Sequence, residues 1–303
     1  MLGRTLLWAS EKQFIEDLVR HSRLTRSVVD RFVAGHDGED AVEAIKHLNA
    51  RGIGGILDLL GEGVVDPAGA DEAARRYLQL VKRIDETKID TAVSVKPTQL
   101  GLAFDKGACI DHLRRLCAEA QAVGTSIEID MEQSEYVTDT LDVFKLLAAD
   151  FPDLRQAMQA ALRRTPVDLE AMSGMSPRIR LVKGAYAEPE EIALQRKREI
   201  DNQYRFLTDW LFAHGTRPAI ATHDHRLIDH ARAAARRAGV GDDGFEVQML
   251  YGIRRDLQES LARAGVKVKV YVPFGEAWYP YLTRRIAERP ANVWFFLRAV
   301  AGS

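Results

Sequence analysis

The sequence predicts an α/β protein: one distorted (β/α)8 barrel of the TIM type behind an N-terminal helical arm. Three observations carry this. Eight short runs rich in β-formers recur from residue 53 onward, and longer amphipathic segments separate them. No glycine-rich turn of the dinucleotide-binding kind follows the first run. Strands that alternate with crossover helices make a parallel sheet, and eight such units over roughly 250 residues is the size of a closed barrel. A doubly wound open sheet is the weaker alternative, because GILDLLGEGV offers GEG but not G-x-G-x-x-G.

Residues 1–52 read as the helical arm. SEKQFIEDLVRHS opens on Ser10 as a capping residue, and Phe14, Ile15, Leu18 and Val19 form one apolar stripe. GEDAVEAIKHLNARG places Val42, Ile45 and Leu48 on one face and stops at Gly52. Residues 53–303 read as the barrel. Its strand candidates are GGILDLLG (54–61), TAVSVKP (91–97), TSIEIDME (125–132), DLRQAMQAAL (153–162), RIRLVKGAY (178–186), RPAIATHD (217–224), GFEVQMLYG (244–252) and VKVKVYVPFG (266–275). The fourth is the weakest, since its residues prefer helix; its place in the series is the reason to keep it. Helical segments between them include DEAARRYLQLVKRIDE, KGACIDHLRRLCAEAQAVG, EEIALQRKREIDNQYRFLTDWLFAHG and HRLIDHARAAARRAG.

Composition sets the outer limits. Of 303 residues, 46% are hydrophobic and 28% charged, and the formal net charge is -2. A near-neutral chain gives no reason to expect a nucleic-acid partner. The two cysteines, Cys109 and Cys117, lie eight residues apart on one predicted helix, about 12 Å by helical rise and too far for a disulfide. They read as small packing residues, and low cysteine usage fits a reducing compartment. No signal peptide or run of ~18 apolar residues is present. The expectation is a cytoplasmic protein, with contact to the inner face of the membrane at most. No residue set suggests a metal.

Barrel enzymes build their sites where the strands end, and here nearly every strand delivers a polar group to that end. In order these are Glu62, Lys96, Asp130, Gln159, Arg180 with Lys183, Thr222 with His223, Gln248, and Tyr271. Each alone has a plainer reading: Lys96 as a solvated strand end, Asp130 as the partner of a barrel arginine, His223 as a satisfied buried histidine. The constellation is the stronger signal. Arg180 alternates with Ile179 and Leu181, so it points away from their face and needs a partner or a ligand. Cations exceed anions when Arg284 and Arg285 are counted, which favours an anionic substrate or cofactor. These two arginines lie within a turn of Tyr281 in YPYLTRRIAERPAN, with Glu288 one turn further on. Arginine suits a planar carboxylate through paired hydrogen bonds.

At this point the residues resemble a known family. SVKPTQLGL (94–102), IEIDMEQ (127–133), RLVKGAY (180–186), ATHD (221–224), FEVQMLYG (245–252) and YVPFGEAWYPYLTRRIAERPAN (271–292) are similar, in order, to the motifs of the FAD-dependent proline dehydrogenases, in their short monofunctional bacterial form. The resemblance implies oxidation of L-proline to Δ1-pyrroline-5-carboxylate. FAD takes the hydride and electrons pass to a membrane quinone. It implies that Arg284, Arg285 and Lys96 hold the proline carboxylate, that Tyr271, Tyr281 and Leu250 line the substrate pocket, and that Glu62 pairs with Arg284 as a gate. Lys96, Asp130, Arg180 and Tyr271 become the catalytic set. Gln159, Arg180, Lys183, Gly184, Ala185, Thr222, His223, Gln248 and Met249 become the FAD contacts. Two positions depart from the pattern: Ala187 follows KGAY where an aromatic residue is common, and Ala161 stands where a tyrosine is common. A quinone acceptor implies peripheral membrane contact, for which the arm or VWFFLRAV (293–300) is available, although that tail reads first as a helix packed on the body. A separate pyrroline-5-carboxylate dehydrogenase is the implied partner for the product. The alternative is a Schiff-base barrel of the class I aldolase type using Lys96 or Lys183.

Overall fold

Eight parallel strands close into a barrel in chain order, β1 beside β2 and onward until β8 returns to β1. They are β1 (Gly54–Leu59), β2 (Thr91–Val95), β3 (Ile127–Ile129), β4 (Arg155–Gln159), β5 (Ile179–Val182), β6 (Ala219–Ala221), β7 (Glu246–Leu250) and β8 (Lys267–Phe274). Each falls inside one of the eight predicted runs. The computed structural model describes residue 29, residues 31–61 and residues 63–287, the last five of these by backbone alone. The predicted first helix of the arm, Glu62, Glu288 and the 293–300 tail lie outside the described residues.

β4 shows why a helix-prone run becomes a strand. Its neighbours hydrogen-bond to it on both edges, Glu128↔Arg155 on one side and Gln156↔Ile179 through Gln159↔Val182 on the other, and all five residues are buried. Pairing and burial override the weak local preference. Closure between β1 and β8 runs from Gly54↔Lys269 to Leu59↔Phe274.

The outer layer begins with α1 (Gly38–Asn49), whose N-terminus is capped by Asp37 accepting from the Glu39 and Asp40 N–H groups. Its apolar face, Ala41, Val42, Ile45 and Leu48, packs on β1 and β8. That approach needs Gly55: a Cβ there would stand 2.5 Å from Ile45 Cδ1. α2 (Pro67–Thr87) and α3 (Lys106–Ala122) start at Asp66 and Asp105 caps. Cys109 and Cys117 are buried and unbridged on α3, as expected, and burial pushes both thiols up to about 12.

α4 (Val137–Ala148), α5 (Thr165–Glu170), α6 (Lys197–His214), α7 (His225–Arg237) and α8 (Arg255–Arg263) complete the ring. The sequence extended α6 back to residue 190, and the structure shortens it. The Leu194 N–H donates to Ala161 O at 2.8 Å and the Arg163 N–H to Ile192 O at 3.0 Å. Those residues thus pair with the chain leaving β4 rather than with the next helical turn.

The last helix, α9 (Trp278–Ala287), does not join the ring in the slot beside β8 and β1, which α1 already fills. Its Trp278, Tyr279, Tyr281 and Leu282 form a separate apolar cluster with Val29, Val33 and Leu60. Leu60 follows β1 directly, so this contact sets α9 beside the C-terminal ends of the strands.

Candidate active site

Side chains alternate across a strand, so each strand of a closed barrel sends every second residue inward. β1 sends Asp58, β2 sends Ser94 with Lys96 just beyond it, and β3 sends Glu128 with Asp130 beyond it. β5 sends Arg180, β7 sends Gln248 and β8 sends Tyr271. Register aligns Asp58 with Ser94 and Ser94 with Glu128. Asp58, Lys96, Asp130, Arg180 and Tyr271 therefore converge inside the upper barrel.

Lys96 Nζ donates to Asp58 Oδ1 at 2.6 Å and to Asp130 Oδ2 at 3.1 Å. Asp130 is the hub: it also accepts from the Ser94 hydroxyl at 2.7 Å, the Tyr271 hydroxyl at 2.7 Å and Arg180 Nη2. Arg180 Nη1 reaches Glu128 Oε2 at 3.0 Å. Its guanidinium carbon stands 5.3 Å from the centre of the Tyr271 ring, a cation–π contact.

The electrostatics follow from burial and pairing. Burial alone would raise the Asp130 pKa, but the Lys96 and Arg180 charges and the Ser94 hydrogen bond outweigh it and hold the carboxyl well below its usual range. Burial opposes the charge on Lys96 too, yet Asp58 and Asp130 keep its pKa well above the ordinary value. Burial first, then the nearby Asp130 and Asp58 carboxylates, keep Tyr271 a neutral phenol. A Schiff-base lysine needs a neutral amine with a lowered pKa. Lys96 is the opposite, and Lys183 is tied to Asp201 at 2.5 Å. The aldolase alternative is not favoured.

Below this level Arg155, 1% exposed, bridges Glu128 and Glu246 at 2.7 Å each. Burial would raise the Glu246 pKa, but Arg155 and Lys269 outweigh that and bring it down to about 2 from the ordinary 4.5. A carboxyl with a depressed pKa stabilises the fold above its unfolded pKa and loses that contribution as pH falls toward the folded value. Stability is therefore expected to drop as pH falls below 4.5. Urea unfolding of Glu246→Gln at pH 5 and pH 3.5 should show a flatter pH dependence than the unsubstituted protein.

The residues expected to contact a cofactor sit at the ends of β4 to β7. Gln159 is buried and donates to Glu132 O at 2.8 Å. Lys183, Gly184 and Ala185 leave β5 in a bare loop. Gly184 has φ +122, and a Cβ there would meet Ala161 Cβ and Gln159 Oε1 at 3.1 Å, so only glycine fits. Thr222 is buried beyond β6. His223 Nε2 accepts the Leu250 N–H at 2.9 Å, which puts the proton of a neutral ring on Nδ1. Two polar atoms here are buried with no hydrogen-bond partner among the described residues, Arg180 Nε as a donor and Gln248 Oε1 as an acceptor. An unpartnered buried donor and an unpartnered buried acceptor are what a flat heteroaromatic group with donors and acceptors on its rim would satisfy. Alternation places the Met249 side chain on the outer face of β7, in the core between strands and helices.

On the substrate side Leu250 and Tyr271 pair in register on β7 and β8, and Tyr281 is buried in α9. Arg284 and Arg285 continue the backbone of α9 three and four residues beyond Tyr281. Asp58, Glu128, Arg155 and Glu246 were not singled out by the sequence. The usable signal was a charge on the inward phase of an otherwise apolar strand, as in Ile127-Glu128-Ile129-Asp130.

A closed parallel barrel that buries paired charges under its C-terminal mouth is the architecture of an enzyme. The family model for proline dehydrogenase matches residues 41–298, and the chain belongs to that family. It is 37% identical to a proline dehydrogenase of Deinococcus radiodurans over 98% of this chain and 97% of the relative. It is 33% identical to proline dehydrogenase 2 of Bacillus subtilis over 97% of each. Among solved structures it resembles proline utilization A from Bdellovibrio bacteriovorus, inactivated by N-propargylglycine, with a TM-score of 0.81 and 24% identity. That alignment covers 87% of this chain and 33% of the longer one, and the likeness bears on the fold.

Proposed function

We propose that this protein oxidises L-proline to Δ1-pyrroline-5-carboxylate with FAD as the resident cofactor, and that a membrane quinone takes the electrons. The buried Lys96–Asp130–Arg180–Tyr271 cluster at the mouth of the barrel is the observation that carries this reading. When bound, FAD supplies the hydride acceptor for C5 of proline. Gln159, Lys183, Gly184, Ala185, Thr222, His223, Gln248 and the Met249 backbone would hold it, with Arg180 beside its ring system.

The chain's own residues supply binding and position. Arg284 and Arg285 grip the proline carboxylate. Lys96 spends two of its three N–H donors on Asp58 and Asp130, which leaves a third for the same carboxylate. Tyr271, Tyr281 and Leu250 enclose the ring, and Glu62 closes over it by pairing with Arg284. None of the clustered groups is poised to exchange a proton near neutrality: Asp130 is held ionised, Lys96 held charged and Tyr271 held neutral. Arg180 remains a fixed cation beside growing negative charge.

No helix among the described residues is long and apolar enough to cross a membrane. In this reading a cytoplasmic protein reaches the quinone by peripheral contact at the inner face of the membrane, and a separate pyrroline-5-carboxylate dehydrogenase consumes the product. The test is turnover. Purified protein given L-proline and a ubiquinone analogue in lipid vesicles should consume quinone and form the pyrroline in equal amounts. Quinone consumption without pyrroline, or neither, contradicts the reading.

A further inference from the structure

Beneath the proposed active-site cluster lies a second charged level, of which Gln248 alone is also a proposed cofactor contact. Arg155 Nη1 donates to Glu128 Oε1 and to Glu246 Oε2, both at 2.7 Å, and its Nη2 to Arg217 O at 3.2 Å. Gln248 Nε2 lies 3.0 and 3.2 Å from the two Glu128 oxygens and 3.2 Å from Glu246 Oε2. Lys269 Nζ stands 3.9 Å from Glu246 Oε1. Glu128 is fully buried and shared, with Oε1 facing Arg155 below and Oε2 facing Arg180 above.

Stability is a poor explanation for this level. Buried ion pairs seldom beat well-packed apolar side chains of similar volume, and barrel interiors are ordinarily filled by branched apolar residues. Arg155 Nε also has no hydrogen-bond partner among the described residues, a cost that a level selected for stability would shed. What the level does accomplish is geometric. Arg180 is gripped on both terminal nitrogens, by Asp130 above and Glu128 beside it, while its Nε is left unpartnered. Arg155 and Arg180 share Glu128, one on each carboxylate oxygen. Without Arg155, two carboxylates, Glu128 and Glu246, would compete for the remaining cations, and Arg180 is the one Glu128 already touches.

We propose that Arg155 is a positioning residue: through Glu128 it fixes the height and orientation of the Arg180 guanidinium, and so the field at the barrel mouth, without contacting substrate or cofactor. This rests on the flavin reading of the site. Removal of the Arg155 charge lets Glu128 draw Arg180 toward the floor of the barrel and weakens the stabilisation of charge on a reduced flavin.

Three variants of the full chain separate positioning from folding: Arg155→Met, the charge-balanced pair Arg155→Met with Glu246→Gln, and Arg155→Lys. Each is compared with the unsubstituted protein for kcat, KM for L-proline, midpoint potential of the bound flavin and melting temperature. The expected result is a melting temperature recovered in the double variant relative to Arg155→Met, with kcat still at least tenfold down. KM should stay within about twofold, and the flavin potential should be more negative than in the unsubstituted protein. Arg155→Lys, whose single ammonium can still meet both carboxylates, should recover most of kcat. A folded double variant with kcat and potential unchanged would overturn the proposal, as would a kcat that recovers together with the melting temperature. Unsubstituted protein whose flavin does not respond to proline overturns the flavin reading itself, a distinct failure.

Discussion

Arg285→Met is expected to raise KM for L-proline by tens- to thousands-fold while FAD stays bound and kcat at saturating proline falls far less. The reason is the nature of the contact. A guanidinium matches a carboxylate bidentately and keeps its charge at any working pH. Loss of one charged, hydrogen-bonded partner in a binding site costs about 2–5 kcal/mol, and each ~1.4 kcal/mol is tenfold in affinity. The backbone of α9 carries both arginines. α9 is anchored by Trp278, Tyr279, Tyr281 and Leu282 against Val29, Val33 and Leu60, so the turn that carries Arg284 and Arg285 extends from a fixed base. Met preserves helix propensity and length, so a large KM effect reports the lost charge rather than a lost helix. Steady-state kinetics over a wide proline range, with flavin content measured on the same sample, check this. An unchanged KM removes Arg285 from substrate binding.

Arg180→Met has the opposite kinetic signature. Here kcat is expected to fall about 10²–10³-fold, the scale seen when one preorganised charge-stabilising group is removed, with a smaller change in KM. A stability loss of about 3–5 kcal/mol accompanies it, because Asp130 and Glu128 lose a buried cation. The two effects can be separated. Adding Glu128→Gln removes one stranded carboxylate and should recover part of the stability, but kcat should stay low, because the cation near the developing charge is still missing. Thermal unfolding and anaerobic single-turnover reduction measure the two independently. A double variant whose rate recovers with its stability would mean that Arg180 serves the fold alone.

The eight strands were readable because local alternation, glycine and proline punctuation and intervening amphipathic helices all agreed, and each predicted run contains its strand. β4 was readable only from its place in the series, because its stabilising partners are other strands. The start of α6 was misplaced for a related reason: residues 192–194 pair with the chain leaving β4, a tertiary choice that helical periodicity cannot reveal. The upper cluster was legible apart from Asp58, since polar residues at strand ends are conspicuous. The lower level was not. A charge in the first half of a short strand reads locally as the solvent phase, and its partners are distant in sequence. Arg155 meets Glu246 across 91 residues, and Gln248 meets Glu128 across 120. Only closure of the barrel brings them together. Met249 shows the same lesson in reverse, for a residue inside a matching motif still points wherever its phase on the strand sends it.

One spectrum tests the central claim most directly, namely that this charged barrel mouth holds a flavin and presents proline to it. Purified protein is examined by absorbance without oxygen before and after addition of L-proline. The expected result is an oxidised-flavin band that bleaches with proline and fails to bleach at the same concentration in Arg285→Met. A protein without a flavin band, or with a band indifferent to proline at any concentration, would contradict the account.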